Sequence, residues 1–89
     1  MNTDKIKNKE ILKIQELFKK KDNQEIKKFL TELLGKYPNN SDLNQTMGLV
    51  LLKEKNFLAA KEFYEKSLSI DKNSSSSYYN LGIINFKIN

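Results

Sequence analysis

The chain has 89 residues, 38% of them hydrophobic and 30% charged, with a net charge of +5, no cysteine and no histidine. Without cysteine there are no disulfides and no thiolate metal sites, and without histidine the usual proton shuttle and the commonest metal ligand near neutral pH are missing. A serine nucleophile would then need a lysine or a carboxylate as its base, which leaves enzyme chemistry few means.

Ile6, Ile11, Ile14, Leu17 and Phe18 recur at three- and four-residue spacing among lysines and acids, which predicts a first helix over residues 4–21. Thr3 is its expected N-cap, with Asp4 in the first turn where the helix dipole favours an anion. Asp22-Asn23 breaks it. A second helix is expected over residues 24–35, with Ile26, Phe29, Leu30, Leu33 and Leu34 on one stripe. Gly35 suits its C-terminal cap, and Pro38, the sole proline, blocks continuation.

Asn40 or Ser41 is expected to cap a third helix over residues 42–54, which holds Leu43, Met47, Val50 and Leu51 together with Leu49 and Leu52. It is apolar over more than one face and is expected to be covered on both sides. Lys55-Asn56 makes a short turn. The fourth helix, over residues 57–70, carries Phe57, Ala60, Phe63, Tyr64, Leu68 and Ile70, and Asp71-Lys72-Asn73-Ser74 ends it. The run Ser74 to Ser77 reads as a capping turn rather than a flexible linker, because it falls where the preceding turn, Asn39-Asn40-Ser41, predicts the next one. A fifth helix begins near Ser76, with Tyr78, Leu81, Ile84 and Phe86. No segment alternates with period two for long enough to form a strand.

Gly48 and Gly82, 34 residues apart, each follow an apolar residue in an apolar run, Met47-Gly48-Leu49 and Leu81-Gly82-Ile83. A period of that length marks helix-turn-helix repeats stacked into a solenoid. Residues 41–74 resemble the tetratricopeptide repeat (TPR) family, with the pattern W-x2-L-G-x2-Y…A-x3-F…P. Asn44 stands in the tryptophan slot, Met47-Gly48 for Leu-Gly, Leu51 for the tyrosine, Ala60 for the alanine and Tyr64 for the phenylalanine. Lys72 replaces the final proline, and Ser67 fills a further small-residue slot. Residues 7–40 are a degenerate unit in which Glu10, Lys13 and Ile14 occupy the aromatic, leucine and glycine slots. Residues 75–89 match the first helix of a third, truncated unit, and residues 1–6 are a polar start. The resemblance implies an all-α fold, an α-solenoid of antiparallel helix pairs with five helices and about two and a half units. Gly48 and Ala60 are expected to let the two helices of a pair approach, with Met47, Leu51, Phe57 and Tyr64 filling the space around them as core.

In this family partners lie in the concave groove lined by the first helix of each pair. Carried over, the groove comprises Asp42, Gln45, Leu49, Leu52 and Lys53 in the second unit and Ser76, Tyr79, Ile83, Phe86 and Lys87 in the third. Ile11, Gln15 and Phe18 belong to it in the first. Leu49, Leu52, Ile83 and Phe86 form an apolar strip suited to an extended peptide or an amphipathic helix, or one packed by another part of a longer chain or by a second copy. Members of the family that grip acidic C-terminal tails use a lysine and an asparagine near the slots held here by Gln45 and Leu49, so a carboxylate clamp is not expected.

Residues 1–40 carry ten lysines against six acids, and residues 41–89 six against five. Lys19-Lys20-Lys21 and Lys27-Lys28 could meet nucleic acid, but arginine is absent and no aromatics interleave the lysines, so nucleic acid is not an expected partner. The carboxylate pairs Glu62/Glu65 and Asp22/Glu25 sit at surface spacing and read as solvated charges. No cofactor or metal is expected. The charged first ten residues lack the apolar segment of a signal peptide, and the longest apolar run, Leu49 to Leu52, is far too short to span a membrane. A cytoplasmic, non-catalytic protein-protein interaction scaffold is therefore the first expectation. The second is a TPR arm of a larger bacterial enzyme such as a glycosyltransferase or sulfotransferase, or a self-assembling module. Because the third unit stops after one helix, Tyr78, Leu81, Gly82 and Ile84 are expected to present an uncovered face through which a homodimer could form.

Overall fold

The structure is a computed structural model that describes residues 5–88. Five helices follow one another: α1 (Asn8–Lys20), α2 (Asn23–Lys36), α3 (Ser41–Lys53), α4 (Phe57–Ile70) and α5 (Ser75–Ile88), with no strand among the described residues. The expected cap Thr3 and its neighbour Asp4 lie outside those residues. The first helix begins at Asn8 rather than residue 4. Its start is set by Glu10, whose Oε1 reaches back to accept from Lys7 N–H at 2.9 Å. That is one half of a capping box; lysine has no acceptor to supply the other half.

Lys21, in the left-handed region at φ 58, closes α1 through its N–H to the Phe18 carbonyl, 3.2 Å. Asp22 then caps α2, its Oδ1 accepting from Gln24 and Glu25 N–H at 3.1 and 3.2 Å. The second helix does not stop at Gly35, which lies inside it without a positive φ. It ends at Tyr37, whose N–H bonds the Leu33 carbonyl at 2.7 Å. The stop comes from the side chain of Tyr37, which is drawn inward, and from Pro38 behind it, which has no N–H to continue the ladder. Asn40 caps α3 through its Oδ1 on Leu43 N–H, 2.9 Å. Lys55, at φ 64, makes the α3–α4 turn. Ser74 begins α5, its Oγ accepting from Ser77 N–H at 3.4 Å.

Each helix packs on its neighbour in sequence, α3 on α4 most extensively, in a body 39 × 32 × 19 Å. α3 is covered by α2 and by α4, as its two apolar faces predict, and it buries Leu43, Asn44, Met47, Gly48, Val50 and Leu51. The core continues through Leu17, Ile26, Leu30, Leu33 and Tyr37 on one side and Ala60, Tyr64 and Ile84 on the other. Phe57 is only half-buried against it. The close approach at Gly48 is made by the ring of Tyr64, while Ala60 is buried without being among the nearest atoms.

Two expectations about α5 are overturned. Ile84 is fully buried in the core and Leu81 is half-buried against it, so neither belongs to an uncovered face. They face inward because Ser77 and Ile84, seven residues apart, share the side of α5 turned to the protein. Leu52 is likewise packed partly against the core rather than standing free in a groove.

Candidate interaction surface

The residues singled out for the groove fall into three places. At the first, Phe18 of α1 and Lys53 of α3 line one depression of about 350 Å³ with Lys21, Asn23, Ile26 and Val50. Phe18, Ile26 and Val50 form its apolar floor, and the exposed Lys21 and Lys53 belong to its wall. α1 and α3 are not neighbours in sequence. Helix–helix contact with α2 is what brings them to one surface.

At the second place, Gln45 of α3 meets the start of α5. Its Nε2 donates to Ser76 Oγ, and its Oε1 lies 3.3 Å from Ser74 Oγ. The amide of Gln45 is thus engaged within the protein. Beneath it runs a hydroxyl network. Ser67 of α4, fully buried, donates to the Ser41 carbonyl at 3.1 Å, with the Ser41 Oγ 2.9 Å away and the Ser77 Oγ at 3.4 Å. Ser74 Oγ has one proton, which serves Ser77 Oγ at 2.9 Å or Gln45 Oε1. These bonds tie the start of α5 to α3 and α4 at once. Leu49, one turn beyond Gln45, is half-buried.

The third place is α5 itself. Tyr79, Ile83 and Phe86 join Tyr78 and Gly82 around an open depression of about 430 Å³. Tyr79 is 71% and Phe86 83% exposed. Exposed aromatics of that size are scarce on a monomer's surface unless something meets them. Ile11 is half-buried and Gln15 exposed on α1, apart from all three places, while Asp42 and Lys87 are exposed at the starts and ends of α3 and α5.

Several of the lysines serve local ends. Lys19 and Lys20 sit in the last turn of α1, where the dipole favours cations. Lys27 pairs with Glu54 at 2.9 Å, and the Lys13 ammonium stands 4.5 Å from the centre of the Phe29 ring.

Sequence reasoning missed three polar residues. Glu10, only 8% exposed, takes Lys36 Nζ at 2.8 Å and Tyr37 OH at 2.9 Å in addition to Lys7 N–H. The Lys36 hydrogen bond and the Lys7 N–H hold its carboxyl down at about 2 against the ordinary 4.5; burial opposes them, and Tyr37 adds a further hydrogen bond. A glutamate at the third helical position was the available signal, hidden by placing the helix start too early. Asn44 is buried and donates from Nδ2 to the Asn40 and Pro38 carbonyls at 2.8 and 3.2 Å. It braces the α2–α3 turn. The third is Ser67, described above.

Among the described residues no group of three or more acidic, histidine or cysteine side chains is placed to hold a metal ion, and no helix is long and apolar enough to cross a membrane. No protein-family profile and no curated protein matches the chain.

Proposed function

We propose that the chain is a TPR-like α-solenoid of antiparallel helix pairs, acting as a non-catalytic scaffold that binds a peptide or helix along α1, α3 and α5. The observation that carries this reading is two local meetings between helices two apart in sequence, although the extensive packing is between sequence neighbours. Phe18 and Lys53 share one depression across α1 and α3, and Gln45 meets Ser76 across α3 and α5. A run of first helices side by side is what a continuous groove requires. Leu49 and Tyr79 supply apolar surface along it, and apolar burial is the main driving force for a peptide lodged there. Lys19 and Lys20 serve a helix end and Lys27 and Lys36 ion pairs, and the chain has no arginine, which speaks for a protein partner rather than a nucleic acid.

Selection of peptides from a displayed random library on the 89-residue protein tests the reading. Selected peptides are expected to lose about tenfold or more in affinity to Leu49→Glu and to Tyr79→Glu while the melting midpoint stays close to that of the parent. Added salt is expected to change the affinity little, since apolar contacts are not screened. Peptides that bind both variants as well as the parent place the interface elsewhere and sink the groove.

A further inference from the structure

We propose that α5 is a self-association helix: two copies of this chain pack α5 against α5, antiparallel, about a two-fold axis passing at Gly82. The first support is an internal precedent. At Gly48 the bare helix backbone is covered by the ring of Tyr64, whose Cε2 lies 2.9 Å from the position a β-carbon would take. Gly82 stands 34 residues later, likewise between two apolar residues, and nothing lies within 4 Å of its β-carbon position. Gly82 instead forms part of the open depression with Tyr78, Tyr79, Ile83 and Phe86. The one glycine shows that such a bare stretch of helix is covered in this protein by a packed helix.

The second support is spacing. Tyr78 and Phe86 lie four residues to either side of Gly82, on one ridge of the helix, and both are exposed, at 57% and 83%. Read from either end, the ridge is aromatic, glycine, aromatic. An isologous interface needs a patch that is complementary to itself, and this one is. With the two helices antiparallel, Tyr78 of each copy meets Phe86 of the other, and the facing glycines let the axes close as ridges of this spacing pack into each other's grooves.

Charge is the third support. Between Ser75 and Ile88 the only charged residue is Lys87. In the antiparallel arrangement the two Lys87 side chains lie at opposite ends of the contact, so no like charges are forced together. The face offers little to a highly charged partner and a matching apolar surface to another copy. Phe86 is shared with the proposed peptide groove, whereas Tyr78 and Gly82 are not among its residues, so variants at those two separate this interface from that groove.

Sedimentation equilibrium of the 89-residue protein across the micromolar to millimolar range tests the proposal. A reversible dimer is expected. Phe86→Glu and Tyr78→Glu are each expected to weaken it by about tenfold or more with circular dichroism unchanged, and Tyr78→Glu, outside the groove residues, is expected to leave peptide binding at Leu49 unchanged. Gly82→Leu, whose β-carbon meets no neighbour within its own chain, is expected to do the same by holding the helices apart. Mixing Tyr78→Glu with Phe86→Lys is expected to restore association, since the antiparallel register brings those two positions together. A strict monomer throughout the range overturns the proposal and leaves the face to a different helix. Dimers indifferent to Phe86→Glu and Gly82→Leu overturn it equally, and a mixture that stays monomeric rules out the antiparallel register.

Discussion

The ring of Tyr64 stands where the first carbon of any side chain at Gly48 would go: a β-carbon there lies 2.9 Å from Cε2 and 3.0 Å from Cδ2. Tyr64 is fully buried, so its ring has no room to withdraw. Gly48→Ala is therefore expected to lose about 1–3 kcal/mol to overpacking, against which roughly 1 kcal/mol of helix propensity is regained. Gly82→Ala meets no neighbour and is expected to gain up to about 1 kcal/mol. Urea denaturation at low protein concentration compares them. Equal shifts in the two variants would contradict the difference in cover.

Acid is expected to loosen the α1–α2 junction through Glu10. Its carboxyl is held at about 2 in the folded protein against an ordinary 4.5. A depressed folded value means the stabilisation is fully present above about 4.5 and is lost as pH falls from there towards about 2. Glu10→Gln removes the titrating group. The stability difference between parent and variant is expected to be largest near neutral pH and to shrink through that window. Denaturation curves that run parallel across it would exclude Glu10 as the source.

Tyr64 carries a hydroxyl that it does not use. The oxygen is buried with no partner at hydrogen-bonding geometry; the Asn80 side chain pulls its pKa down, less than burial raises it. Burial is the larger influence and pushes the phenol up to about 12, so the group leaves stability unchanged below the ordinary value of 10.0 and lowers it as pH rises from there through about 12. Tyr64→Phe keeps the ring on Gly48 and discards an unsatisfied group, and is expected to be neutral or stabilising by about 1 kcal/mol. Tyr64→Ala is expected to cost about 3–5 kcal/mol. Thermal melts decide; a substantial loss in Tyr64→Phe would mean the hydroxyl has found a partner.

Ser67 joins three helices through its hydroxyl. Ser67→Ala leaves the Ser41 carbonyl and the Ser77 hydroxyl short of a partner and is expected to cost about 1–2 kcal/mol. The effect is expected to be local first: amide exchange at Ser77 and Tyr78, in the first turn of α5, should speed up more than exchange in α3. Uniform acceleration along the chain would point to general loss of stability instead.

What the sequence by itself determined is the set of five helices and most of the turns between them. Three- and four-residue spacing of Ile26, Leu30 and Leu33, or of Leu43, Met47 and Val50, places each set on one side of a helix whatever lies beside it. The capping residues Asp22 and Asn40 and the serine turn before α5 act over two or three residues, and so are legible locally. Only the tertiary structure decided which neighbour covers each face. Gly48 and Gly82 each sit between two apolar residues, yet one lies under a ring and the other is open, because the helix that brings Tyr64 to the first has no counterpart over the second among the described residues. Ile84 and Phe86 are two residues apart on an apolar helix, and one is fully buried while the other is 83% exposed. Glu10 is a surface residue by type and a buried one in fact, since only the folded chain brings Lys36 and Tyr37 to its carboxylate. Periodicity tells which side chains travel together. Contacts between residues far apart in the chain decide what they meet.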